Sequence, residues 1–550
     1  MGTMGGGLPY GLQAMLKEGY KLFSGVNEAV IKNIEACKEL STITKTSLGP
    51  HGMNKIIINH IDKLFVTSDC STIVSELDVF HPAAKLVVLA AKAQQQEIGD
   101  GTNTVISFCG ELLKLAEGLL KEGLHVAEVA DGYEKATKKA LETLESMVLA
   151  DSAGLDVRDK EKVAKFLTAS VSSKQCGNEY LLCPLIAEAC VSICPTNPEN
   201  FAVDNVRVCK ILGGALSDSE VVRGMVIKRE TEGTVNFVED AKVAVYAQGV
   251  DTSGTETKGT VLIKSAEELE NYASSEERRI EEQIKGISEA GTKVVVSGSA
   301  VGEMATHFLE KYGIMIIKIT SKFELRRFCR STGSTALATF RPPSQDELGY
   351  AKSISVKEIG GTSCIVLEQG EAKDGSIGDI STIVLRGSAD AVLDDTEHAV
   401  DNAVNNYRIL CKDSRALPGG GACEIELSRI ISDFGKKQTG LDQYAIAKFA
   451  EALEVIPRAL ADTSGFDGTD IISALHAEHA SGNTNAGVDV KTGTPKDMTG
   501  EGITDLYTTK WWALKLSADA VITVLKVDQI IMARAAGGPK PKQGGDWDED

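Results

Sequence analysis

The chain has 550 residues, of which 43% are hydrophobic and 25% charged, and its formal net charge is −20. A single hydrophobic core stops growing near about 250–300 residues, so this length predicts several domains. A strongly acidic chain lacks the concentrated positive charge that phosphate contacts need, which argues against nucleic acid as a partner. No run approaches the roughly 18 apolar residues of a membrane span, and Met1–Tyr10 lacks the basic and apolar regions of a signal peptide. These features predict a cytosolic protein with neither a nucleic-acid nor a membrane partner.

Residues 1–150 are typical of a helical domain. One predicted helix carries its apolar positions at Val26, Val30, Ile34, Cys37 and Leu40. This spacing places them on one face of the helix. Two β-rich runs around a polar turn, Ile56–Ile58 and Lys63–Thr67, predict a hairpin whose second arm leads to Ser68 and Asp69.

The middle of the chain has a different pattern. From Val206 to Gly387, short β-rich runs alternate with helices, which predicts an α/β region. The helical pattern then returns in segments 396–412, 424–434 and 444–460. Helical ends therefore enclose an inserted α/β middle. Gly213, Gly214 and Gly387 flank the insertion and are either hinges or ordinary loop glycines.

Twelve cysteines are scattered along the chain, which favours reduced thiols over a disulfide framework. Cys183, Cys190 and Cys194 form the one cluster. Cys190 and Cys194 are one helical turn apart and could bind zinc, but apolar neighbours favour buried structural thiols.

Three glycine-rich segments are candidate phosphate loops. Gly99–Asn103 lies between two predicted helices, where close backbone approach and free N–H groups suit phosphate and Asp100 could hold Mg²⁺. The same segment is also compatible with an ordinary turn and helix cap. Leu48–Gly52 and Pro418–Ala422 also lie at helix ends, where a simple cap is the alternative. Neither a Walker lysine loop nor the kinase signatures are present, which excludes the common nucleotide folds.

Five segments, taken in order, resemble the successive signatures of the group II chaperonin family. They are Thr46–Lys55, Val66–Asp69, Gly99–Asn103, Pro418–Glu424 and Gly502–Asp505. Phe65–Asp69, Lys174–Glu179 and Trp547–Asp550 resemble one particular subunit of the eukaryotic cytosolic chaperonin. Because the resemblance covers essentially the whole chain, we expect the fold of a group II chaperonin subunit.

The resemblance implies a helical equatorial domain that binds ATP, a small intermediate domain, and an α/β apical domain with a helical lid protrusion. The implied bounds are equatorial 1–149 and 404–537, intermediate 150–214 and 387–403, apical 215–386, and a disordered acidic tail 538–550. The lid would fall within Val250–Ile287, and Lys322–Cys329 would form a charged apical helix. Its arginines could meet acidic clients or form a solvated basic face.

The resemblance also implies individual site residues. Contacts to ATP would come from Leu48, Gly49, Gly101, Thr102, Asn103, Thr104, Ser172, Ser173, Gly420, Asp505 and Lys510, while Asp100 would bind Mg²⁺. Asp505 would meet the ribose or adenine end, with Lys510 nearby. Ser172 and Ser173 would approach the nucleotide on closure.

Hydrolysis requires carboxylates that orient and deprotonate a water molecule. Asp69 matches one of the family's two such aspartates, but Asn402 stands at the second position. An amide can bind a water molecule but cannot accept its proton. Asp401 is the possible substitute, although it points about 100° away around a helix.

The leading hypothesis is therefore a subunit of a hetero-oligomeric double ring that encloses and folds client proteins, such as actin and tubulin, with paralogous chaperonin subunits as partners. It would bind ATP and Mg²⁺ and hydrolyse ATP slowly. The alternative is a structural ring subunit that binds nucleotide without hydrolysing it. An unrelated metabolic kinase is disfavoured because no acceptor-substrate site is recognisable.

Overall fold

The computed structural model describes residues 26–59, 62, 64–150, 156–250, 265–369 and 380–530. The predicted tail 538–550 and the part of the predicted lid in 251–264 lie outside these ranges.

The N-terminal part consists of helices and one hairpin. Its elements are α1 (Val26–Lys45), β1 (Lys55–Ile58), β2 (Leu64–Thr67), α2 (Cys70–Glu76), α3 (Pro82–Glu97), α4 (Thr102–Lys121) and α5 (Val126–Ser146). Strands β1 and β2 are antiparallel, with Ile58 opposite Leu64, so the predicted hairpin is confirmed. Asp69 caps α2, because its side chain accepts from the Thr72 N–H.

The middle part contains two helices followed by an α/β region. Its elements are α6 (Lys160–Ser172), α7 (Glu179–Ser192), β3 (Val206–Leu212), β4 (Glu220–Ile227), β5 (Phe237–Tyr246), α8 (Ala266–Glu289), β6 (Thr292–Ser297), α9 (Glu303–Lys311), β7 (Met315–Lys318), α10 (Lys322–Thr332), β8 (Ala336–Leu337), β9 (Gly349–Ile359), β10 (Thr362–Glu368) and β11 (Ser381–Gly387). A mixed sheet has the strand order β3-β11-β4-β10-β9-β5-β6-β7, and β8 pairs with β5. The two ends of the insertion meet, since the Gly213 N–H donates to the Gly387 carbonyl at 2.8 Å. Their hinge role stays a prediction.

The C-terminal part is again mainly helical. Its elements are α11 (Asp390–Lys412), β12 (Ala416–Pro418), α12 (Ala422–Gly435), α13 (Asp442–Leu453), α14 (Val455–Thr463), α15 (Gly468–Ala480), β13 (Ala486–Val488), β14 (Pro495–Asp497), β15 (Thr504–Leu506) and α16 (Tyr507–Leu525). The single helix predicted over 444–460 is wrong, because α13 and α14 are separated at Glu454. Pro457 has no N–H to donate to the Leu453 carbonyl, so the helix cannot continue unbroken.

Both ends of the chain contribute to one hydrophobic core. Ile34 of α1 and Leu112 of α4 belong to the same buried cluster as Phe449 of α13 and Val521 of α16. The Phe449 ring lies 5.4 Å from the Phe108 ring, edge to face. Residues more than 300 positions apart thus hold the helix ends that carry the glycine loops.

A second buried cluster joins α6, α7 and α11. Leu167 of α6, Ile186 of α7 and Val404 of α11 all belong to it. Helix α11 has a buried face along most of its length. It packs against α6, and the two helices together form one wall of the site described below.

We expect Phe449→Ala to destabilise the chain by about 3–5 kcal/mol, because truncating a buried aromatic ring loses its transfer free energy and leaves a cavity. Thermal unfolding of the purified chain measures this effect. Phe323→Ala is the matched control, since Phe323 on α10 is 75% exposed and its truncation should cost little. Equal shifts for both variants would contradict the assignment of Phe449 to the core.

Candidate active site

A cavity of about 380 Å³ lies where the helical core meets the wall formed by α6 and α11. Its size is that of a small-molecule site. The residues expected at the site from the sequence that line it are Leu48, Gly49, Asp69, Asp100, Gly101, Thr102, Asn103, Thr104, Ser172, Ser173, Asn402, Gly420, Asp505 and Lys510. Asp401 is exposed and is not among the lining residues. The structure therefore brings the predicted residues together with that one exception.

Two helices begin at the cavity after glycines in the left-handed conformation. Gly101 caps α4 with φ of 79°, and Gly421 caps α12 with φ of 83°. These angles strongly favour glycine. The first helical bond of α4 runs from the Val105 N–H to the Gly101 carbonyl at 3.2 Å, so the N–H groups of residues 102–104 have no acceptor within the helix. Such a helix start suits an anion such as phosphate.

Asp100 lies between these loops and the wall. Its Oδ1 accepts from the Gly101 N–H at 2.8 Å, and its Oδ2 accepts from the Asn406 amide at 2.7 Å and from the Ser170 hydroxyl at 3.3 Å. Burial raises the pKa of Asp100, and the Asn406 amide and Lys174 oppose that rise. A cation beside this carboxylate would offset its desolvation.

Asp69 forms an ion pair with Lys174 across the cavity. Asp69 Oδ2 also accepts from the Thr72 N–H at 2.9 Å and from the Thr72 hydroxyl at 2.8 Å. Burial alone would raise the pKa of Asp69, but the Lys174 ammonium and the Thr72 bond outweigh it and lower the pKa to about 2. Asp69 is therefore ionised, and Lys174 neutralises it in this conformation.

Asn402 lies beside this pair and is 5% exposed. In the amide orientation that satisfies both neighbours, its nitrogen donates to the Gly99 carbonyl at 3.0 Å and its oxygen accepts from Lys174 Nζ at 2.8 Å. Lys174 thus bridges Asp69 and Asn402. Neither partner of Asn402 requires a charge at this position.

The opposite end of the cavity is built by the pairing of β12 with β15, which places Leu417 opposite Asp505. Lys510 Nζ forms an ion pair with Glu424 and another with Asp505 Oδ2 at 3.0 Å. Burial would lower the pKa of Lys510, but Asp505 and Glu424 raise it well above its ordinary value. This end therefore holds the protonated Lys510 between two carboxyl groups.

Sequence reasoning did not assign roles to Lys174, Ser170 or Asn406. Lys174 belongs to the quoted segment Lys174–Glu179, directly after Ser172 and Ser173, and that position was the available signal. Asn406 follows Asn402 by four residues, and this spacing places both amides on one face of α11. Both amides line the cavity.

Mg²⁺ fits the donor set at Asp100. Within the described ranges, no group of three His, Cys, Asp or Glu side chains could hold a metal ion by itself. Mg²⁺ is typically held by one or two carboxylates together with phosphate oxygens and water. The buried carboxylate of Asp100 beside a phosphate-type helix start meets that description.

The same finding bears on the cysteine cluster. Cys183 and Cys190 are buried in α7, and Cys194 is half-buried. Among the described residues these thiols do not form a group that could hold a metal ion, so zinc is not supported there.

No helix in the part of the chain covered by the structure combines the length and apolar content of a membrane span.

The sequence matches the TCP-1/cpn60 chaperonin family over residues 40–535, and the chain belongs to this family. It is similar to T-complex protein 1 subunit theta of Arabidopsis thaliana, with 56% identity covering 97% of this chain and 96% of the relative. T-complex protein 1 subunit theta of Homo sapiens is 53% identical, covering 98% of each chain. That of Dictyostelium discoideum is 48% identical, covering 98% and 99%. The fold class and the resemblance predicted from the sequence are confirmed.

We expect Lys174→Met to make stability depend on pH between 7 and 4. Without the ammonium, burial is the largest influence and is opposed only by the smaller effects of Thr72 and His398, so we expect the folded-state pKa of Asp69 to rise above its ordinary 3.8. A raised carboxylate pKa destabilises the folded state at neutral pH, and this penalty disappears as the pH falls. The melting-temperature deficit of the variant should therefore be largest at pH 7 and shrink toward pH 4.

The parent chain should behave in the opposite way. Its lowered Asp69 pKa contributes stability that is present above about pH 4 and is lost as the pH falls toward 2. Lys515→Met, which breaks an exposed pair with Asp519, is the control and should show no such trend. A deficit for Lys174→Met that is independent of pH would refute the electrostatic role.

Proposed function

We propose that this chain is an ATP-binding, slowly hydrolysing subunit of a hetero-oligomeric double-ring chaperonin in the cytosol, which encloses and folds client proteins such as actin and tubulin. One observation carries the proposal. A single cavity gathers two glycine-capped helix starts, the Asp100 carboxylate and the Asp69 carboxylate from distant parts of the chain. Membership of the chaperonin family supports the same conclusion.

The phosphates of ATP would lie against the starts of α4 and α12, whose free N–H groups and positive dipole ends favour anions. Asp100 would hold Mg²⁺, which when bound would neutralise phosphate charge. Asp505 and Lys510 would face the ribose and adenine end, where Lys510 is already fixed by two carboxylates. The remaining task of the protein is to position and deprotonate a water molecule.

Asp69 is the candidate general base. It can accept a proton only after its ion pair with Lys174 is exchanged, and Lys174 lies close enough to the cavity to move toward a phosphate instead. Asn402 can orient the water through its amide but cannot accept a proton. With one carboxylate where the family has two, hydrolysis should be slow.

Asn402→Asp should raise single-turnover ATP hydrolysis by about 100-fold, the lower end of what general base catalysis contributes. The new carboxylate would face Lys174 at the position of the amide oxygen. The measurement uses assembled rings in which only this subunit keeps an active site. Asn405→Asp is the matched control, because Asn405 is the next amide along α11, does not line the cavity and donates to the Asp401 carbonyl.

Equal rates for the natural and the restored site would show that Asn402 is not a catalytic lesion. ATP binding without measurable hydrolysis in the natural site would favour the second candidate, a nucleotide-binding structural subunit. The charge-neutral amide at 402 is the observation that favours this alternative.

Ring assembly is supported by the hairpin β1–β2. Ile56, Ile58 and Leu64 are 69%, 65% and 57% exposed, and they share one face of a two-stranded sheet. Such a sheet is marginal in water, and its edges offer unpaired backbone groups to another chain. A neighbouring subunit that covers this face and pairs with a strand edge would bury the apolar side chains and satisfy the unpaired backbone groups.

We expect Ile56→Glu combined with Ile58→Glu to reduce incorporation of the chain into rings at least about tenfold, because two charges would have to be buried at the contact. Co-purification with the other ring subunits measures incorporation. Leu441→Glu, at an exposed apolar position before α13, is the control. Normal incorporation of the double variant would show that the hairpin is not a subunit contact.

A further inference from the structure

Asn406 is an amide at a buried position of α11 and is 7% exposed. Its nitrogen donates to Asp100 Oδ2 at 2.7 Å, across 306 residues of sequence. Its own Oδ1 is buried and has no hydrogen-bond partner among the described residues. A buried acceptor without a partner costs about 1–3 kcal/mol. Core packing alone therefore does not account for an amide here, whereas its N–H contact with Asp100 does.

The bonds to Asp100 leave one position on its carboxylate open. An ionised carboxylate has about two acceptor sites on each oxygen. Both sites on Oδ2 are occupied, by the Asn406 amide and the Ser170 hydroxyl. Among the described residues, Oδ1 accepts only the Gly101 N–H, at 2.8 Å, which leaves one of its sites free. A cation at Asp100 is thereby directed to Oδ1, on the side of the α4 helix start.

From this we infer that Asn406 is a positioning residue for the metal: it fixes the rotation of the Asp100 carboxylate so that Oδ1 faces a divalent cation. The inference rests on the proposed function, because it requires nucleotide and Mg²⁺ in this cavity. Partners that orient a ligating carboxylate typically contribute 10- to 100-fold in metal affinity when they are removed. Asn406 acts through Asp100 and need not touch the nucleotide.

The test is the Mg²⁺ dependence of ADP binding, measured by calorimetry in assembled rings whose other sites cannot bind nucleotide. For Asn406→Leu and Asn406→Ala we expect the Mg²⁺ concentration at half-maximal binding to rise 10- to 100-fold. ADP affinity in excess EDTA should not change. Ser170→Ala, which removes the longer bond to the same oxygen, should give a smaller change in the same direction. Mn²⁺ binding measured by electron paramagnetic resonance gives an independent readout.

Asn405→Ala is the matched control, since this neighbouring amide bonds to its own helix, and it should leave the Mg²⁺ dependence unchanged. An unchanged or tighter Mg²⁺ dependence in both Asn406 variants would overturn the inference. So would an equal loss of ADP affinity with and without Mg²⁺, since that would indicate a role in cavity shape. Failure of the unsubstituted ring to bind ADP would instead refute the proposed function, and an unchanged Mg²⁺ dependence in Asp100→Asn would refute Asp100 as the metal ligand.

Discussion

The site depends on the joining of the two chain ends in one helical core. Helix α16 packs on α4, where the Ser517 hydroxyl donates to the Val105 carbonyl at 3.3 Å, buried inside the core. The pairing of β12 with β15 sets the Gly421 loop against Asp505. Because packed cores have few voids and resist deformation, the two glycine-capped helix starts are held at a fixed separation. The helical core with these two helix starts forms the floor of the site, and a phosphate site requires this rigidity.

The wall of α6 and α11 meets that floor through polar contacts, in addition to the apolar side chains of Ile98 and Leu506 that join its buried cluster. Lys174 reaches Asp69, Asn402 reaches the Gly99 carbonyl, and Asn406 reaches Asp100. Arg408 adds a bond to the Glu97 carbonyl at 2.6 Å. Exchanging such bonds for bonds to water or ligand changes the free energy little, whereas separating apolar cores costs far more. The site thus combines a rigid floor with a wall held by exchangeable polar bonds, which would suit the proposed ATP-driven opening and closing.

Local signals and the family resemblance together predicted much of this arrangement. The segments Gly99–Asn103 and Pro418–Ala422 were recognisable as glycine loops at helix ends, and the resemblance gave Gly101 and Gly420 their roles. The hairpin was recognisable from its β-rich arms. Lys174 and Asn406 were not, because their partners lie 105 and 306 residues away and no spacing rule links them. The break at Glu454 was missed because apolar periodicity continues across it, although Pro457 marked it.

Asn402 affects the proposed reaction in two ways, and both should slow ATP hydrolysis. It removes one of the two carboxylates that could accept a proton from water. It also changes what Lys174 faces, since the ammonium lies between Asp69 and a neutral amide oxygen rather than between two carboxylates. A cation shared by two carboxylates is bound less exclusively to either one, because each competes for the same N–H donors. Within the described part of this chain, Lys174 forms its ion pair with Asp69 alone. The one remaining base is therefore neutralised more strongly than it would be if Asp69 shared Lys174 with a second carboxylate.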